Sequence, residues 1–378
     1  MTKLREVLEA HVEGGLLPGA VGLVARGDQV EVEAVGYVDV EGSAPMARDS
    51  VFRIASITKP VTAVAVMMLV EDGVVGLEDP ISRWLPELAT ARVVREPGAA
   101  ADDVVAAERQ ATVFDLLTFR AGWGFPDDFS LPAVQLLFSE LKQGPPQPQA
   151  VAGVDEWLAQ LARVPMLRQP GEAWLYNTCS DIAGALVGRA AGCSFGEFLA
   201  ERVLTPLGMV DTGFFVPEAK LGRFTSYYQP DGDGGVELLD SPGGQWSVRP
   251  SFESGAGGLV STVDDWLAFG RMLLGEGPRL LSDESLRLMM TDHLTPEQRA
   301  ASALFLEGQG WGFGGSVDVS AGDPGTVPGR YGWVGGTGTT AHVVPSTGTV
   351  AVLMSQMGMT SPTPLPLMQD FCAYAASA

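Results

Sequence analysis

A serine and a lysine, Ser56 and Lys59, open the segment Ile54–Pro60, and an apolar run from Val61 to Val70 follows them. If a helix starts near Ser56, the i, i+3 spacing puts both side chains on one face. The run behind them, with Val64, Met67, Met68 and Val70, predicts a buried helix. A hydroxyl at the start of such a helix feels the positive end of the macrodipole, which favours an incipient alkoxide. A lysine one turn on, walled by apolar neighbours, has its ammonium form disfavoured and titrates low enough to act as a base. The pattern therefore supplies a nucleophile and its activator within one turn. The alternative for the same residues is a serine N-cap beside a solvated lysine.

The whole chain frames what such a site works on. At 378 residues with 46% hydrophobic and 19% charged residues, it has ordinary globular composition and can bury a large core. A net charge of −22 argues against a nucleic-acid partner and against docking on anionic lipid. Cys179, Cys193 and Cys372 are too few for a disulfide framework and fit a reducing compartment. The charged, amphipathic start, Met1 to Ala10, has no apolar core of a signal peptide, and no run reaches ~18 apolar residues. These features predict a cytoplasmic protein with no membrane partner and leave oligomeric state open.

The elements that must position Ser56 follow from patterning. A helix is expected over residues 3–13, ended by Gly14-Gly15. A hairpin pairs Ala20–Arg26 with Val30–Tyr37 across Gly27-Asp28. Residues 77–84 form a turn and short helix, 96–110 an exposed loop, 113–118 a short helix, and 145–148 a proline-rich loop. Further helices are expected over 154–164, 181–191 and 263–274, the last capped by Thr262. Strands over 341–345 and 349–354 and a helix over 365–376 close the chain. Strands at both ends with helices between them imply an α+β fold. One antiparallel sheet is built from the termini, about 1–60 and 250–378, and a mainly helical subdomain, about 61–249, is inserted into it.

Phe52–Pro60 resembles the first motif of the superfamily that joins class C β-lactamases, D-Ala-D-Ala carboxypeptidases and family VIII carboxylesterases, whose S-x-x-K serine is acylated. Similar blocks recur in family order: Leu16–Ala20, Asp115–Thr118, Pro170–Tyr176, Pro206–Met209 and Gly257–Thr262. The resemblance implies a β-lactamase/transpeptidase-like fold across nearly the whole chain. It also implies two more motifs. The Tyr-x-Asn motif falls at Tyr176-Asn177, with the asparagine one place early, so that Asn177 or Ser180 fills the polar slot. A phenol there relays a proton if the lysine lowers its pKa. The edge-strand Lys-Thr-Gly motif falls at Trp333-Val334-Gly335, followed by Gly336. The N–H of Gly336 is expected to join that of Ser56 in an oxyanion hole. The cation or hydroxyl that holds a substrate carboxylate in β-lactamases is missing, since Trp333 and Val334 cannot replace it. That departure favours an uncharged or aromatic acyl substrate, with Asn177, Trp333 and Gly335 as contacts; Trp333 reads equally as core packing.

Competing constellations are weaker. Gly192–Gly196 matches G-x-S-x-G, but a helix precedes it where the nucleophile elbow needs a strand, and Ser194 with Glu197 reads as a capping box. A Ser-His-Asp triad would have to use His11, His293 or His342; of these only His342 falls near a motif, and it reads as a satisfied strand histidine. No metal-binding spacing occurs, no cofactor is implied, and Asp231–Gly235 reads as a hairpin turn. Trp123, Phe125, Trp246, Trp311, Phe313 and Trp333 fall in loop or Gly-rich stretches as candidate walls of an apolar pocket. Together these residues predict a serine hydrolase acylated on Ser56, with Lys59 and Tyr176 moving the proton. It would act on a small ester or amide as a carboxylesterase; the alternatives are an acyltransferase between small metabolites and a catalytically silent scaffold.

Overall fold

A computed structural model describes residues 2–14, 17–322 and 324–377. The expected stop at Gly15 and the Leu16 of the Leu16–Ala20 block lie outside these residues. Among the described residues thirteen strands run in order: β1 (Gly19–Arg26), β2 (Gln29–Gly36), β3 (Phe52–Arg53), β4 (Arg92–Val94), β5 (Val104–Ala106), β6 (Tyr227–Pro230), β7 (Val236–Asp240), β8 (Val260–Ser261), β9 (Gly310–Trp311), β10 (Ser316–Val317), β11 (Tyr331–Gly335), β12 (Thr339–Val344) and β13 (Thr349–Ser355). The main sheet has the order β2-β1-β13-β12-β11-β10-β9, and every pairing in it is antiparallel. Its inner strands β13 and β12 are buried along their whole length, as strands covered on both faces must be.

Period-two alternation assigns the two faces. Val21, Leu23, Val352 and Met354 point into the large core, while Ala20, Val24, Ala351 and Leu353 point the other way. The helices Lys3–Val12 and Pro366–Ser377 cover that second face with Leu4, Leu8, Met368 and Phe371. On the first face the helix Val263–Leu273 comes so close that a Cβ on Gly270 would meet Val350 at 2.6 Å. Behind it, every residue of the helix Lys59–Glu71 from Lys59 to Leu69 is buried, the mark of a helix at the centre of a large core.

Two expectations are corrected. Residues 96–110 are not simply a loop: β5 pairs with β4, because Val104 and Val105 carry enough β-branched surface to close a small hairpin. The hairpin turn expected at Asp231–Gly235 joins β6 to β7. It is closed by Asp231 Oδ1, which accepts from the N–H groups of Asp233 and Gly235, 2.9 Å each. Finally, β11 is not an edge strand. The short β10 and β9, drawn from Gly-rich sequence with little strand signal, continue the sheet beyond it.

Candidate active site

Ser56 is presented by a single 3₁₀ turn, Ala55–Thr58, that leads straight into the helix Lys59–Glu71. The turn is sharp, and Ala55 has φ +43°, a left-handed conformation costly for a residue with a Cβ. The surroundings hold it in place. Thr339 Oγ1 donates to the Ile54 carbonyl (2.9 Å) and Thr337 Oγ1 to that of Arg53 (2.6 Å), tying β12 and the turn before it to the approach to Ser56. A Cβ on Gly335 would lie 2.5 Å from the Ile54 oxygen, so only glycine lets β11 pack here.

Lys59 is fully buried. Its Nζ has three partners: Ser56 Oγ at 2.8 Å, Asn177 Oδ1 at 3.0 Å and the Ala256 carbonyl at 2.7 Å. Asn177 and Ala256 can only accept, so a neutral amine donates two protons to them and turns its lone pair to the Ser56 hydroxyl. Burial drives the lysine down to about 7, opposed by the negative charge of Asp181.

Tyr176 completes the cluster from the other side. Its hydroxyl accepts from Trp333 Nε1 at 2.7 Å and lies within hydrogen-bonding reach of Ser56. With Trp333 donating to the phenol oxygen, the single phenolic proton is free to point at Ser56 Oγ. Burial pushes the phenol up to about 12, against the pull of Ser56 and Trp333. The condition that the lysine lower this pKa is therefore not met: desolvation outweighs the Ser56 and Trp333 hydrogen bonds, and the phenol can serve the relay as a protonated donor, not as a phenolate.

Of Asn177 and Ser180, it is Asn177 whose side chain meets Lys59. The Asn177 φ of +80° and ψ of −67° make a strained γ-turn, closed by the Thr178 N–H on the Tyr176 carbonyl at 3.2 Å, and its side chain reaches Lys59 one position early. Ser180 is buried in the first turn of the helix Thr178–Ala191, its carbonyl against Gly255. The helix starts three residues before its expected first residue, and this brings Asp181 beneath the site. Sequence reasoning passed over Asp181, although a carboxylate in the first turn of a buried helix is itself a signal.

Above these residues opens a cavity of about 530 Å³, lined by Ser56, Tyr176, Asn177, Trp333 and Gly336. Phe305 packs on Tyr176 at 4.6 Å, Phe129 on Phe305 at 5.9 Å, and Phe125 on Phe138 at 4.9 Å, forming a continuous aromatic wall. Of the six aromatics proposed from sequence, Phe125, Trp246 and Trp333 line the cavity. Trp123 donates to the Val164 carbonyl, Trp311 packs edge-on against Trp333, and Phe313 stacks on His293. Phe129, Phe138 and Phe305 come from distant loops and helices that nothing local ties together. The histidines are dispersed: His11 meets Asp370, His293 the Leu288 carbonyl and His342 the Thr340 hydroxyl. Ser194 and Glu197 form the expected capping box.

The β-lactamase family model matches residues 4–363, and the chain belongs to that family. It is 32% identical to esterase EstB of Burkholderia gladioli, over 82% of this chain and 78% of EstB. An uncharacterised protein of Mycobacterium tuberculosis is 39% identical over 93% of this chain and 88% of its own. Among solved structures, EstCE1, described as a hydrolase with promiscuous acyltransferase activity, superposes with a TM-score of 0.80 at 23% identity, covering 98% of this chain and 97% of its own. The chain is thus an enzyme of the serine hydrolase and acyltransferase type with the β-lactamase/transpeptidase fold. No helix among the described residues is long and apolar enough to cross a membrane.

Proposed function

We propose that the protein is a carboxylesterase-type hydrolase that acylates Ser56 with bulky, uncharged esters. The observation that carries this reading is the aim of Lys59 Nζ: two carbonyl-type acceptors hold it, and its third direction points at Ser56 Oγ, 2.8 Å away. Ser56 Oγ attacks the ester carbon as its proton passes to Lys59. The carbonyl oxygen becomes an oxyanion between the N–H groups of Ser56 and Gly336, each donor worth ~3 kcal/mol of barrier in comparable sites. When the tetrahedral intermediate collapses, the C–O bond to the alcohol breaks and the proton returns from Lys59 to the departing oxygen, relayed by the Tyr176 hydroxyl. Water then repeats the sequence on the acyl-enzyme and releases the acid.

The cavity supports an uncharged substrate. Besides the catalytic groups, the charged residues in its lining are Asp181, already engaged by three donors, and Lys142, whose Nζ donates to the Ser139 carbonyl. Trp333 occupies the place where a substrate carboxylate would need a cation, and the net charge of −22 repels anions. A cytoplasmic location is supported by the three unpaired thiols of Cys179, Cys193 and Cys372. The size and apolar wall of the cavity support acyl transfer to an alcohol as the second reading, with an acceptor taking the place of water on the acyl-enzyme.

Intact-protein mass after incubation with p-nitrophenyl esters of graded chain length, with and without alcohol or amine acceptors, tests both. An acyl adduct and turnover that vanish in Ser56→Ala support the nucleophile, and acceptor-dependent product in place of acid favours transfer. An adduct that persists in Ser56→Ala overturns the reading.

A further inference from the structure

The mechanism above leaves one buried carboxyl group unused; burial pushes its pKa up, while its hydrogen bonds and the Lys59 charge favour the carboxylate. Asp181 lies in the first turn of the helix Thr178–Ala191, 4% exposed. Its Oδ1 accepts from Ser254 Oγ (2.6 Å) and from the Ala256 N–H (3.0 Å), and its Oδ2 from Gln143 Nε2 (3.0 Å). Gln143 is held in turn by Thr178 Oγ1, which donates to its Oε1 at 2.7 Å. All these donors are neutral. A carboxylate buried among neutral donors is costly unless something repays its charge. The same residue whose N–H binds Asp181 offers its carbonyl to Lys59 Nζ, so Ala256 has the acid on one side and the amine on the other.

We propose that Asp181 is a positioning residue for Lys59: through Ala256 it fixes where the amine sits, and its charge sets how readily the amine gives up its proton. The surroundings leave few other sources of charge. The elements packed on Lys59 present Ser56 from its own turn, the Tyr176 ring 4.6 Å away, Asn177, and the Ser254–Gly258 segment. Glu253, at the start of that segment, is taken by Arg249 and the Gly196 N–H. Arg53 is paired with Asp240, and Arg109 with Asp115. Gly255 completes the arrangement, since a Cβ there would lie 2.3 Å from the Ser180 oxygen; the segment threads against the helix with no room to slide.

The inference rests on Ser56 being the nucleophile, so its test reads Ser56 without any ester. An uncharged alkyl fluorophosphonate forms a P–O bond to Oγ, fluoride departs, and Lys59 takes the proton. The rate of adduct formation by intact mass, followed against pH, reports the base. Asp181→Asn keeps the shape and the acceptor for Ser254 and Ala256, and the Gln143 amide can turn over to accept from the new amide. With the negative charge gone, the ammonium form loses its support, and the midpoint of the acid limb falls by about one pH unit. Ser254→Ala, which removes a hydrogen bond but keeps the charge, leaves the midpoint in place. Asp181→Ser provides the same charge removal should the asparagine variant fail to fold. A merely structural role lowers the rate equally at every pH, and an unmoved midpoint in a folded Asp181 variant overturns the inference. A wild-type protein that gives no adduct, or one that Ser56→Ala retains, overturns the nucleophile assignment and this inference with it.

Discussion

Ser56 and Ser194 both sit in short patterns that enzymes use for nucleophiles, S-x-x-K and G-x-S-x-G, and the molecule treats them in opposite ways. Ser56 lies at the floor of a cavity, with a buried lysine and a phenol turned to its oxygen. Ser194 is the N-cap of the helix Phe195–Leu199: its Oγ accepts from the Glu197 N–H (3.1 Å) and from Arg249 (3.0 Å). The hydroxyl of Ser194 is spent on satisfying donors; that of Ser56 has a proton acceptor held against it. A serine's chemistry is thus set by what its hydroxyl is bonded to, and a four- or five-residue pattern does not carry that information.

The largest effect separates the two serines outright. Ser56→Ala is expected to lower ester turnover by at least about 10³-fold, leaving only what the oxyanion donors and binding contribute. Steady-state assay of the purified variant checks it. Comparable turnover in Ser56→Ala would collapse the distinction between the two sites.

A second effect concerns the base. Tyr176→Phe is expected to cost about 10²-fold in kcat on alkyl esters, and distinctly less on p-nitrophenyl esters, whose leaving group needs no proton. Equal losses on both would make Tyr176 a pocket wall rather than a proton donor. The pH profile sharpens the same point. Lys59 acts as a base only when neutral, so kcat/KM falls as pH drops below about 7 and is flat above it. The plateau extends through the ordinary assay range because the phenol stays protonated to about 12. A profile that still climbs between pH 8 and pH 10 would instead point to a phenolate base.

Much of this site was legible in the chain. Ser56, Lys59 and Tyr176 stand in motifs, and the buried run after Lys59 foretold the helix that desolvates it. Gly335 marks where backbone must pack closely on the turn that carries Ser56. What remained hidden depends on long-range geometry. The sequence pattern starts this helix at Asp181, because Thr178, Cys179 and Ser180 are weak helix formers, so the place of Asp181 beneath Lys59 does not show in it. Phe129, Phe138 and Phe305 meet only in the folded chain. β9 and β10 are pairs of residues too short for any period to show, and so β11 was assigned to the edge.

The smallest effect tests Ser194 in its own right. If it is only a cap, Ser194→Ala removes the acceptor for the Glu197 N–H and frees Arg249 from one partner, at a cost of about 1 kcal/mol. The reciprocal bond from the Ser194 N–H to Glu197 Oε2, 2.9 Å, survives the substitution, which keeps the loss near that figure. Phe195, Phe198 and Leu199 stay buried and hold the helix in place. Chemical denaturation should therefore show a modest loss of stability while turnover and the acid limb near pH 7 remain those of the wild type. A loss of turnover greater than the loss of folded protein would mean that the Ser194 hydroxyl acts on the reaction, and the contrast between the two serines would fail from the other side.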